Sequence, residues 1–203
     1  NVLLPQKRFS FIQDAYEQVH RAKILFQERF DHELRGMWPA EGSISNEALK
    51  VLAEENIIWT ASDESVLLNS LLHEASANDD KRYNDLEKYF PRRFAIGEKN
   101  ITVFFRDHGL SDSIGFEYAT WDPHDAAMNF IGRCKDIRGK ILDRFGEQAL
   151  RESCITIILD GENCWENYHE NGKYFLDEFY KTLTTTEEIQ PITFSKALEE
   201  IGQ

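Results

Sequence analysis

Cysteine is scarce in this chain. Cys134, Cys154 and Cys164 are the only three among 203 residues, an odd number without the short paired spacing of a metal site. They read as free thiols of a reducing, cytoplasmic compartment. Long apolar runs are also missing. None approaches the roughly 20 residues that cross a bilayer, and no signal-peptide pattern is visible, so no membrane partner is expected. Positive charge is in deficit: 23 Lys and Arg against 36 Asp and Glu leave a net charge of −13. That balance argues against nucleic acid or another polyanion as partner and leaves neutral ligands open. Glycine-rich phosphate loops are absent. Gly161 stands alone, and Gly109 and Gly115 do not form a nucleotide fingerprint. His20, His32, His73, His124 and His169 show no ligand spacing, so neither a cofactor nor a metal is expected.

The length fits one domain with a sizeable core. A hydrophobic share of 41% with 29% charged residues is ordinary for a globular chain, and 12% aromatics suit both a core and a stacking surface. Apolar positions three or four apart predict a helix over residues 9–34, with Ser10 as its N-cap and Gly36 as its stop. Ser45 is the expected cap of the next helix, with Ala48, Leu49, Leu52 and Ala53 buried. Strands are predicted at 57–61, 101–105 and 154–159, and helices at 65–74, 110–118, 123–145, 175–183 and 195–201. Pro123 suits the first turn of its helix. Residues 75–100 lose the pattern and read as an insertion containing a short helix near 83–89. Strands alternating with helices imply parallel strands joined by crossovers, an α/β class.

Each predicted extended segment ends in residues capable of chemistry: Glu41, Asp63, Arg106-Asp107-His108 and Asp160-Gly161-Glu162. In α/β barrels the active site lies at the C-terminal ends of the strands. Glu41, in Gly36-Met-Trp-Pro-Ala-Glu-Gly-Ser43, and Asp160, closing Ile155-Thr-Ile-Ile-Leu-Asp160, each have a tryptophan nearby, Trp38 and Trp165. Two such carboxylates suit retaining glycoside hydrolysis, in which one attacks and the other moves a proton. By spacing alone, helix caps or surface charges are the favoured reading of both, since acids at strand ends are common. Arg106-Asp107-His108 fits a proton relay or phosphate clamp, or ion pairs that orient catalytic groups; orientation is the favoured reading.

At these residues the sequence resembles glycoside hydrolase family 57, the α-glucan-active family of amylases, amylopullulanases, 4-α-glucanotransferases and branching enzymes. The matching pieces are Gly36-Met-Trp-Pro-Ala-Glu-Gly-Ser-Ile-Ser45, Ile57-Ile-Trp-Thr-Ala-Ser-Asp-Glu64, Phe104-Phe-Arg-Asp-His-Gly-Leu-Ser-Asp-Ser-Ile-Gly-Phe116 and Ile158-Leu-Asp-Gly-Glu-Asn-Cys-Trp-Glu-Asn-Tyr168. The resemblance implies a (β/α)7 barrel, Glu41 as nucleophile and Asp160 as general acid/base. It places Trp38, Asp63, Arg106, Asp107, Glu162 and Trp165 at the substrate, an α-glucan. The family's first motif, a His-Gln-Pro type segment, is not found, nor is its second. The expectation is therefore a single partial catalytic domain over residues 1–203, with an insertion at 75–100. The N-terminal strands of the same barrel would be missing, and activity would be poor without them. Glucan transfer and a purely sugar-binding module are the alternative activities.

Overall fold

A computed structural model describes residues 10–77, 84–161 and 165–201. Contacts divide the chain into two units: residues 1–83 with 90–105, and residues 84–89 with 106–203.

The first unit is α/β. Helix α1 spans Ile12–Phe30. Its cap position is Phe11, which has no side-chain acceptor, and not Ser10. Asp31, in the left-handed region (φ 52°), ends the helix by bonding its amide to the Gln27 carbonyl. The stop thus comes five residues before Gly36, because Asp tolerates that conformation. Gly36 is needed for a different reason. It opens strand β1, Gly36–Met37, and a Cβ there would lie 1.8 Å from the Trp59 indole.

Helix α2, Asn46–Glu54, is capped as its sequence suggests: the Ser45 hydroxyl accepts the Ala48 amide at 3.1 Å. Strand β2, Trp59–Asp63, helix α3, Glu64–Ala77, and strands β3, Arg92–Ile96, and β4, Lys99–Arg106, complete the unit. The sheet order is β1-β2-β4-β3. β1 and β2 run parallel, but β3 pairs with β4 antiparallel, so the all-parallel expectation fails at this edge. The reason is the connection: Ile96 pairs with Lys99 across Gly97-Glu98, and a two-residue link can join only antiparallel strands. Gly97 supplies the positive φ (60°) such a turn needs. Leu49, Leu52, Ile57, Leu67, Ile101, Val103 and Phe105 form the core of this unit.

The second unit is largely helical. A 3-10 turn, Asp85–Tyr89, precedes the hairpin in the chain, where a short helix was expected. Helix α4, His108–Asp112, runs on through a π-turn, Ser113–Glu117. Helix α5, Pro123–Phe145, has Pro123 in its first turn and the Asp122 side chain as its cap. Helices α6, Glu147–Arg151, α7, Lys173–Thr185, and α8, Phe194–Glu200, follow. α5 and α7 enclose a core of Phe130, Ile131, Phe175, Phe179 and Leu183, joined by Tyr118 and Tyr168. The predicted strand at 154–159 is reduced to one parallel bridge, Arg106 with Thr156. Its apolar side chains still pack on this core, but side chains take up the backbone groups that a ladder would use.

Candidate functional site

In the first unit, β1 leads through Trp38 and Pro39 into a tight turn, Ala40–Gly42. Glu41 (φ 55°, ψ 21°) and Gly42 (φ 62°) are both left-handed. For glutamate this costs about 1–2 kcal/mol and persists only where the surroundings fix it. Here they do. Thr60 and Ser62, two apart on β2 and so on one face of the strand, are both fully buried. The Thr60 hydroxyl donates to the Met37 carbonyl at 2.7 Å, and the Ser62 hydroxyl donates to the Gly42 carbonyl. The Gly42 amide closes on the Pro39 carbonyl, and the Ser43 amide on the Ala40 carbonyl, each at 3.0 Å. Trp38 lies over the glycine: a Cβ on Gly42 would come within 2.6 Å of its ring. The indole is nonetheless 37% exposed, and the Glu41 side chain is exposed. Asp63, at the end of β2, accepts the Ser65 amide at 3.0 Å and so caps the start of α3.

The second unit brings together Arg106, Asp107, Ser111 and the segment leading to Asp160. The Asp107 amide donates to the Thr156 carbonyl at 2.8 Å. Arg106 Nε donates to the Ile158 carbonyl at 2.9 Å, and the Ile158 amide donates to Ser111 Oγ at 3.2 Å. Both polar backbone groups of Ile158, two residues before Asp160, are therefore gripped by side chains. The guanidinium is itself anchored by Asp112 at 2.6 Å, and its Nη1 lies 3.3 Å from His108 Nδ1. Arginine can only donate, so His108 Nδ1 accepts and Nε2 carries the proton toward Asp112 Oδ2, 2.8 Å away.

Asp107 is buried at 4% exposure. Its Oδ1 accepts the Leu110 amide at 2.7 Å, and its Oδ2 accepts the Tyr89 hydroxyl at 2.6 Å and faces Lys88 Nζ at 3.2 Å. Burial alone would raise its pKa. The hydrogen bonds from Tyr89 and the Leu110 amide, together with the Lys88 charge, outweigh burial and hold it below the usual carboxylate range.

Asp160 is exposed. Among the described residues neither Glu41 nor Asp160 has a hydrogen-bond or ion-pair partner for its carboxylate, whereas Asp63 and Asp107 are spent on the chain. Trp165 is half-buried, its ring centroid 5.6 Å from Tyr168 and 6.3 Å from Phe175. Glu162, expected beside Asp160, lies outside the described residues. Among the described residues no three His, Cys, Asp or Glu side chains converge on a metal-sized space, and no helix is long and apolar enough to cross a membrane. The sequence reading passed over Ser111, Tyr89 and Lys88. A serine inside Leu110-Ser111-Asp112 carries no signal of its own, and Lys88-Tyr89 falls in the stretch without periodicity.

Comparison with known proteins gives one family and one fold. The model of the family described as Glycosyl hydrolase family 57 matches residues 2–203. The 4-α-glucanotransferase of Thermococcus litoralis superposes with a TM-score of 0.69 at 21% identity, over 94% of this chain and 26% of that one. The α-amylase AmyC of Thermotoga maritima superposes with a TM-score of 0.68 at 15% identity, over 95% of this chain and 46% of that one. This chain thus spans about a quarter and under half of the length of these two solved structures. No curated protein is matched by sequence.

Proposed function

The chain belongs to glycosyl hydrolase family 57, and from that premise we propose that it carries the catalytic carboxylates of a retaining α-glucan hydrolase built on a (β/α)7 barrel. Glu41 is the nucleophile and Asp160 the general acid/base. Protonated Asp160 gives its proton to the glycosidic oxygen while the Glu41 carboxylate attacks the anomeric carbon. The carbon–oxygen bond breaks, the leaving sugar departs as an alcohol, and Glu41 holds a glycosyl ester. Asp160, now a carboxylate, takes a proton from water; the water oxygen attacks the anomeric carbon and frees Glu41. Trp38 supplies an exposed ring for a sugar face, and Glu162 contacts the same substrate. Asp63, Arg106, Asp107 and Trp165 serve as supports around these groups.

The observation that supports this most is Glu41 itself. Its carboxylate is exposed and uncommitted on a left-handed turn fixed from β2, in the family's Trp-Pro-Ala-Glu segment. Strain of this kind at a non-glycine residue clusters at functional sites. A 5-fluoro maltosyl fluoride, which slows hydrolysis of the glycosyl ester, tests the assignment. Mass spectrometry is expected to find the label on the peptide containing Glu41. Glu41→Gln is expected to lower kcat by at least about 10³-fold. Asp160→Asn is expected to lose about 10²–10⁴-fold on maltodextrin but much less on a glycosyl fluoride, whose leaving group needs no proton. A label on another carboxylate, or hydrolysis surviving Glu41→Gln, overturns the roles. Because one of the two structural relatives is a glucanotransferase and the other an amylase, transfer is the second reading. Products longer than maltoheptaose, formed from maltoheptaose, would mark it.

A further inference from the structure

The second unit has an exposed line of aromatic and polar side chains that the chemistry above does not use. It starts at Trp121, just before α5, which is 45% exposed and sets its ring at 65° to Tyr118 with centroids 5.3 Å apart. One edge of the indole is thus tied to the core while much of the ring faces solvent. Asp122 caps the helix by accepting the His124 amide at 2.9 Å, which fixes the first turn on which His124 stands. His124 Nδ1 then meets Glu178 Oε1 of α7 at 2.9 Å. One turn back along the same face of α7 is Tyr174, 53% exposed. The His169 ring stacks on Tyr174 with centroids 5.7 Å apart at 24°. That stack depends on the turn between them, in which Glu170 (φ 51°), Asn171 (φ 53°) and Gly172 (φ 81°) are all left-handed. Two of the three are not glycine, so the turn stores strain.

We propose that Trp121, His124, Glu178, Tyr174 and His169 form an outer subsite for an α-glucan chain. The inference rests on the α-glucan reading above and extends it to substrate length. Aromatic faces match the apolar faces of glucosyl rings, and a histidine–carboxylate pair between them matches hydroxyl groups. Glu178 is also paired with Lys181 Nζ at 3.1 Å, and Lys173 Nζ lies 5.9 Å from the Tyr174 ring centroid, so the patch carries charges of both signs and no single-sign field, which suits a neutral polymer. Single exposed aromatics are ordinary on protein surfaces, but here each ring is ordered against a neighbour, Trp121 on Tyr118 and Tyr174 on His169, and a polar pair joins α5 to α7. The placement also fits. The α5 and α7 starts follow the segments that carry Arg106–Asp112 and Asp160. In α/β barrels the loops that lead from strands into helices build the substrate face.

The test uses maltotriose and maltoheptaose with the wild-type protein, Tyr174→Ser and Trp121→Ala. Tyr174 is absent from the core, so Tyr174→Ser is expected to keep the wild-type circular dichroism and melting temperature. If Trp121→Ala unsettles Tyr118, Trp121→Leu, which keeps apolar volume against Tyr118 but removes the stacking ring, replaces it. The expected result is a rise in KM for maltoheptaose that exceeds the rise for maltotriose by about tenfold in the double variant, as loss of roughly 1.4 kcal/mol of stacking would give. Isothermal titration with maltoheptaose in an Asp160→Asn background is expected to show the same loss. Wild-type hydrolysis with equal effects on both substrates overturns the subsite and leaves the catalytic reading standing. Failure of the wild-type protein both to bind and to cleave maltoheptaose overturns the two together.

Discussion

Around Glu41 the chain is held by backbone geometry and by small buried hydroxyls. Around Asp160 it is held by long side chains reaching from a neighbouring segment. The Glu41 turn has two consecutive left-handed residues, a glycine under a tryptophan ring, and Ser62 bonded to its Gly42 carbonyl, while Thr60 holds the Met37 carbonyl of the strand that leads into it. The segment before Asp160 has one bridge at Thr156 and then depends on Arg106 and Ser111 for both polar groups of Ile158. The first support is local and stiff, and it tolerates almost no added volume. The second is modular: Arg106 and Ser111 each hold one polar backbone group of Ile158. Under the roles proposed above, a nucleophile that must meet one carbon would gain from the first kind of support, and a group that protonates one oxygen and then deprotonates another from the second.

The largest effect is expected where the second support is itself anchored. Asp107→Asn keeps the cap on α4 but leaves Lys88, 14% exposed, without its buried counter-charge. Loss of about 3 kcal/mol is expected from urea unfolding. The pH dependence carries the same signature. The folded pKa of Asp107 lies below its unfolded value of about 3.9. The stabilisation is therefore complete above about pH 4 and is lost as pH falls through the folded pKa. The variant is expected to lose part of the acid-side slope of stability against pH. An unchanged slope would show that Asp107 does not anchor this region.

Next in size is the grip on Ile158. Arg106→Leu and Ser111→Ala are expected to lower kcat, by about a hundredfold and about tenfold, since displacing a catalytic group by about 1 Å costs up to roughly 10²-fold. KM for maltotriose is expected to change less than twofold, because neither side chain is placed against sugar. Arg106→Lys restores a charge but not the forked donor and is expected to recover little. A rise in KM with kcat unchanged would mean that Arg106 contacts substrate.

What the sequence made legible follows the same division. Caps and first turns are local, so Ser45 and Pro123 could be assigned from their neighbours, and both stand as expected. The apolar run at 154–159 showed burial but not its hydrogen-bond partners. Those come from Arg106 and Ser111, about 50 residues away, and so a strand was read where there is a bridge. β3 was missed because Arg92–Ile96 has no alternation: its three central residues are all exposed. The link of Asp107 to Tyr89 and Lys88 joins two stretches of which one carries no periodic signal. Glu41 was legible as an acid beside a tryptophan, but its left-handed backbone was not, since nothing in Pro-Ala-Glu-Gly forces glutamate to take it. The two-unit division and the exposed line from Trp121 to His169 likewise depend on packing between helices.

The smallest expected effect bears most directly on the Glu41 support. If that turn stores strain for the sake of the carboxylate, Glu41→Gly and Glu41→Gln must separate stability from activity. Glycine adopts φ near +55° at no steric cost, which recovers about 1–2 kcal/mol. It also gives the unfolded chain more freedom, which removes about 0.4–1 kcal/mol of that gain. A net stabilisation of roughly 0.5 kcal/mol is expected from urea unfolding, with catalysis lost. Glu41→Gln keeps the strained backbone and its side-chain volume, so stability is expected to stay within about 0.3 kcal/mol of wild type while catalysis is lost as completely. Equal stabilities for the two variants would mean that the turn is relaxed and that its left-handed backbone has no part in presenting the nucleophile. A more stable and inactive glycine variant would place Glu41 among residues whose conformation is held against its own preference by Ser62, Thr60 and Trp38.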